Sequence, residues 1–199
     1  MAYPTVDAPY GLVPINLIGG QVYAGSTRLM PIASGSATAI YKGDVVKLIS
    51  SGTIEKDTGT DAATPVGVFL GVTYTDDDFG KVFKDYYPGG ISKSDIEAYV
   101  VDDPDVLFKV AIVSATTTIG FVNQTAVGNN GVLVQNAGST ISGVSGVAVD
   151  NGTATTSTFP VRIVDVIPET AQAGNPGSFT EVIVKWNDGM HQYENPTGV

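Results

Sequence analysis

Ala37-Thr38-Ala39-Ile40-Tyr41-Lys42-Gly43-Asp44-Val45-Val46-Lys47-Leu48-Ile49 is the stretch whose reading decides the fold. Ala37–Tyr41 and Val45–Ile49 are short apolar or β-branched runs, and Lys42-Gly43-Asp44 between them is a turn. Together they predict a strand–turn–strand unit. The same grammar continues outward. Ser50-Ser51-Gly52 opens a turn into Thr53–Lys56, and Val66–Tyr74 is a longer β-branched run. Glu97–Val101 and Val106–Val113 flank Asp102-Asp103-Pro104-Asp105. Phe159–Val166 and Thr180–Trp186 follow, joined by a loop carrying Pro168, Gly174, Pro176 and Gly177. No long helical pattern alternates with these runs, which disfavours a βαβ architecture. The expected fold is all-β, a mainly antiparallel barrel or sandwich with an extended N-terminal arm.

Composition agrees with that reading. The chain has 199 residues, among them 24 Gly and 11 Pro, enough for many tight turns between pleated runs. It is 43% apolar, so it has ample surface to bury and is not expected to be disordered. Only 15% of residues are charged, against roughly 25% in ordinary soluble domains, which suggests that part of the surface is covered by a partner. The net charge of −10 repels nucleic-acid phosphates and anionic membranes. With no cysteine, disulfide scaffolds, thiolate metal sites and cysteine nucleophiles are all excluded.

Residues 1–35 read as an arm. Pro4, Pro9, Pro14 and Pro31 bias their neighbours toward extended backbone, yet Tyr3, Tyr10, Leu12, Ile15, Leu17 and Ile18 are apolar. Two alternatives stay open: a first strand packed on its own core, or an arm reaching onto a neighbouring subunit. The first twenty residues lack Lys and Arg, and prolines interrupt their apolar runs, so they do not form a signal peptide. No stretch has the ~20 apolar residues of a membrane-spanning helix. The expectation is a chain made in a cytoplasm and kept in solution. Residues 36–186 are the expected core, with an internal division near residue 114 left open, and residues 187–199 a polar tail.

Two segments are ambiguous. Phe79, Val82, Phe83 and Tyr86 have helical spacing between Asp76–Asp78 and Pro88-Gly89-Gly90, so they read equally as one short helix or an irregular aromatic loop. Val110 to Val149 contains no charged residue. Exposed strand edges of that kind invite pairing with other chains. Such a segment therefore belongs either to a closed barrel with protected edges or to a subunit interface.

No residue set carries catalysis. The single histidine, His191, has neither a nucleophile elbow nor an orienting carboxylate beside it in sequence. Asp57-Thr58-Gly59 matches the aspartic-protease tripeptide, but Glu55-Lys56 precede it where a buried carboxylate pair needs an apolar run. It reads as a polar turn. Asp76–Asp78 and Asp102–Asp105 lack the alternating spacing of a calcium loop and read as solvated turn-formers. Trp186, ending a strand, reads as a core or interface anchor. No cofactor or metal is expected.

Several stretches together carry a resemblance: Pro9-Tyr10-Gly11-Leu12, Ile18-Gly19-Gly20, Tyr23-Ala24-Gly25-Ser26-Thr27-Arg28, Tyr41-Lys42-Gly43-Asp44-Val45-Val46, Pro65–Gly71, Ala98–Asp105, and Val184-Lys185-Trp186-Asn187 through His191-Gln192-Tyr193. In this order they resemble small head proteins of tailed bacteriophages of aquatic bacteria, of the capsid decoration (cement) type. The resemblance implies a virion protein on the capsid exterior, assembled in the host cytoplasm and commonly a homotrimer. It would clamp adjacent major capsid subunits. The interface residues expected on this reading are Tyr3, Tyr10, Leu12, Ile15, Leu17, Ile18, Trp186, His191 and Tyr193. The alternative is a carbohydrate-binding or host-adhesion module of a phage tail or fibre, whose aromatic rings would line a concave face.

Overall fold

The computed structural model describes residues 6–170 and 178–199. Its strands are β1 (Val13–Leu17), β2 (Arg28–Pro31), β3 (Val45–Leu48), β4 (Ile54–Lys56), β5 (Gly67–Asp76), β6 (Gly80–Lys84) and β7 (Glu97–Val101). There follow β8 (Val106–Ala115), β9 (Thr118–Ile119), β10 (Asn130–Gly131), β11 (Leu133–Val134), β12 (Ala148–Asp150), β13 (Val161–Val166) and β14 (Glu181–Trp186). A single 3-10 turn, Gln124–Ala126, is the only helical element among the described residues. The protein is all-β and mainly antiparallel.

One sheet runs β2-β7-β5-β3-β4, with β6 paired to β5. A parallel bridge from Ile32, just past β2, to Ile54 in β4 brings its two ends together and nearly closes a barrel. Strand alternation fills the interior: Met30, Ile32, Val46, Ile54, Phe69, Val72, Ala98 and Val100 all point inward. The second sheet is organised around the ten residues of β8, which pair with β14 on one edge and with β1 and β12 on the other. Only the β12–β8 pairing is parallel. Phe108, Val110, Ile112, Val161, Ile163, Val182, Val184 and Trp186 make its core.

The two sheets share material at their junction. Val45, Val68 and Val101, at the ends of barrel strands, point into the second core, while their neighbours Val46, Phe69 and Val100 point into the barrel. A buried ionic joint lies beside them. The Asp44 carboxylate accepts from Tyr41 N (2.8 Å) and Ser145 Oγ (2.6 Å) and pairs with Lys56 Nζ at 2.9 Å. It thereby ties the barrel to the loop that precedes β12. Gly11 (φ +81°) fits the same junction only without a side chain, because a Cβ there would stand 2.6 Å from Gly43 O.

Two local expectations change, and one of the alternatives left open for the N-terminal residues is realised. Ala37–Tyr41 is not a strand; only Ile40 bridges, to Tyr87, because Asp44 folds back to cap Tyr41 N. Phe79–Tyr86 is neither helix nor loop: Asp76 Oδ1 caps the Asp78 and Phe79 amides, and the turn returns as β6 along β5. Residues 13–17 and 28–31 of the expected arm are strands of the chain's own two sheets, since their apolar faces pack on cores this chain supplies. The chain passes from the barrel to the second sheet at Asp102–Asp105, and β8 then runs on to Ala115. The uncharged segment is explained largely within the fold: Val110–Val113, Leu133 and Val147–Val149 are buried, and β8 is covered along both edges.

Candidate interaction surface

The outer face of the barrel presents an apolar row built by cross-strand register. Leu29 of β2 faces Tyr99 of β7, Tyr99 faces Gly71 of β5, and Phe83 of β6 follows. Because Gly71 lacks a side chain, the Phe83 ring lies over it; a Cβ there would meet Phe83 Cζ at 2.5 Å. Phe83 then meets Tyr99 edge to face, with ring centroids 5.5 Å apart and planes at 68°. Phe83 is 59% exposed and Leu29 47%, and Phe79 at the tip of the β5–β6 turn is 82% exposed. Ion pairs edge the row: Lys81 with Glu97 at 3.8 Å, and Arg28 with Asp102 at 2.9 Å.

The expected interface residues separate into three groups. Leu12, Trp186 and His191 are fully buried in the chain's own cores, so no partner reaches them in this fold. Trp186 packs on Phe108 with centroids 5.3 Å apart. Tyr10, Ile15 and Leu17 are half-buried, while Ile18 and Tyr193 are exposed. Tyr3 lies outside the described residues. Leu29, Phe79, Phe83 and Tyr99 were not among the expected interface residues. The available signals were Gly71 inside an apolar strand, which marks a close approach, and the alternation that puts Tyr99 opposite in sense to Ala98 and Val100.

Tyr10 anchors the N-terminal segment. Its hydroxyl donates to Glu181, whose carboxylate also pairs with Lys109 Nζ at 3.0 Å. Lys109 sits over the Tyr10 ring. Burial first, and the Glu181 carboxylate second, push the phenol well above its ordinary range and hold it protonated as the donor. Beside it open a cleft of about 430 Å³ against the 136–146 loop and an apolar one of about 210 Å³ against Lys42 and Leu70.

The C-terminal segment is a clasp rather than a free tail. Gln192 pairs with Leu48 as a strand would: its Oε1 accepts from Leu48 N at 2.7 Å and its Nε2 donates to Leu48 O at 3.0 Å. Gln192 N reaches Pro65 O, and Tyr193 Oη donates to Asp102. His191 lies between Trp186 and Tyr193, its Nδ1 accepting from Tyr193 N at 3.3 Å and its Nε2 without a hydrogen-bond partner among the described residues. Burial holds its pKa below the ordinary imidazole value, although the Val66 backbone and the Asp102 and Asp103 carboxylates pull upward.

The aspartates singled out by the sequence serve turns. Asp57 accepts from Gly59 N and Thr64 N, both at 2.9 Å, and Asp103 Oδ1 accepts from Asp105 N. Among known proteins, no family model, no curated protein and no solved structure matches this chain.

Proposed function

We propose that this chain is a structural virion protein that binds the assembled capsid of a tailed phage and clamps adjacent major capsid subunits, as a decoration or cement protein. The observation that carries the assignment of its docking face is the row of exposed Leu29 and Phe83 with half-buried Tyr99 between them. Contiguous exposed apolar surface with a polar rim is the pattern of a protein–protein contact. The wider phage reading rests on the order of motifs in the sequence. A rigid β framework suits the role, since a fixed lattice rewards many copies that bind without rearranging. The negative charge keeps a decorated particle from aggregating. The reading takes the working unit as a homotrimer with the major capsid protein as its partner.

The test is sedimentation of purified chain with shells of the encoding phage that lack it. Wild-type chain should pellet with the shells at fixed stoichiometry. A paired Leu29→Asp, Phe83→Asp variant with unchanged circular dichroism should lose at least about tenfold in occupancy, equivalent to ~1.4 kcal/mol. Wild-type chain left in the supernatant sinks the capsid reading. Full occupancy by the variant moves the contact away from the barrel face.

A further inference from the structure

We propose that a small polar pocket at the far end of the β8 sheet binds a neutral sugar ring. The inference does not rest on the capsid reading. The pocket, about 200 Å³, lies between the turn that follows β9 and the turn that follows β12. Phe121, 41% exposed, stands on its wall, and Asn123, Thr125, Asn129, Asn151 and Thr153 supply its polar groups. The buried side chains of Val122 and Ala126 also line it.

The chemistry of the lining selects the ligand class. No charged side chain lines the pocket, in a chain whose net charge of −10 already opposes anions. A hard cation needs six to eight converging oxygens with carboxylates among them, and none lines this site. What the walls offer is planar amides, each donor and acceptor at once, and hydroxyls, with Phe121 at the edge. A pyranose presents the complement: vicinal hydroxyls that each donate and accept.

The pocket is also built in advance. Asn130 and Ala154 exchange backbone hydrogen bonds at 2.7 and 2.9 Å and fasten the two walls together. Asn151 N is tied to Val113 O at 2.8 Å, and Asp150 Oδ1 caps Gly152 N at 2.7 Å. Asn123 Oδ1 is taken by Thr125 N and its hydroxyl, which fixes the side chain and leaves its NH₂ group free to donate. Asn129 makes one long contact to Thr153 Oγ1, at 3.5 Å. The Asn151 residue is exposed, and its side-chain amide makes no hydrogen bond among the described residues. Fixed backbone with unspent amide groups is the preorganisation that lets a weak ligand bind without an ordering cost.

The experiment is an amide-resolved NMR titration of the full chain with the methyl glycosides of glucose, galactose, mannose and N-acetylglucosamine, and with uracil as a non-sugar control. At least one glycoside should give saturable shifts confined to residues 121–129 and 150–154, with a Kd near ~1 mM. Asn151→Ala, in an exposed turn, should raise that Kd about tenfold, and Phe121→Ala provides a second variant outside the core. Absence of saturable shifts with every glycoside up to ~50 mM overturns the proposal, as does undiminished binding by both variants. Shifts with uracil alone overturn the ligand class.

Discussion

The barrel and the β8 sheet are made of similar residues but are assembled by different rules. Within the barrel, β3–β4 and β5–β6 are hairpins between neighbours in sequence, closed by short turns. Around β8 the partners come from across the chain: Val13 faces Lys109, Val184 faces Phe108, and Val149 lies parallel to Ile112. Loop closure makes such distant pairings entropically costly, so they form only where large apolar area is buried at once. Local turns guide two of the barrel's pairings, whereas in the second sheet the β8–β9 turn is local and β8's main partners must be found across the chain. Their junction is where the contrast matters, because Asp44, Gln192 and the shared valines bind one to the other.

Three perturbations sharpen that contrast, taken from the largest effect downward. Trp186→Ala empties the centre of the second core, where the ring is fully buried against Phe108, and should cost about 3–5 kcal/mol in denaturant unfolding. Hydrogen exchange on the variant decides whether the junction transmits the damage. Barrel strands should lose protection along with β8 and β14; barrel amides that keep wild-type protection would mean two independent cooperative units.

Asp44→Ala acts on the junction itself. It strands the Lys56 ammonium, whose side chain is only 11% exposed, and should cost about 3 kcal/mol. A paired Asp44→Ala, Lys56→Met variant should recover much of that loss. Equal melting of the single and paired variants would show that the Tyr41 and Ser145 hydrogen bonds matter, not the charge pair.

The third perturbation is acid. The folded His191 imidazole is held below the free value of about 6.5, so the unfolded chain takes up this proton first. Its contribution is therefore complete above about pH 6.5 and falls as pH drops through the window below, by at most ~1.4 kcal/mol per pH unit. His191→Gln should show a shallower stability loss between about pH 6.5 and 5 than wild type. Parallel curves for the two proteins would show that His191 does not titrate differently on unfolding.

The same division explains what could be read early. Val45–Leu48, Ile54–Lys56, Glu97–Val101 and Val161–Val166 announced themselves by β-branched content and flanking turns. Phe79–Tyr86 did not, because helical and hairpin spacing coincide over so short a span, and an Asp76 cap settled it. Trp186 reads in the sequence as a core or interface anchor, and both it and His191 are expected at an interface only on the capsid resemblance. In fact the clasp made by Gln192 folds that segment back and buries both. The row of Leu29, Tyr99 and Phe83 brings β2 against two strands more than fifty residues further along the chain, so no local pattern could assemble it.

By itself the sequence determined an all-β chain without thiol chemistry, with strand-forming runs set between turns and a negative field around it. Those properties depend on residue type and near neighbours alone. Only the tertiary structure decided which strands meet, that 13–17 and 28–31 belong to the chain's own sheets, and which aromatics remain outside. A strand states which faces are apolar, but not what will cover them. That choice is made by burial summed over the whole chain.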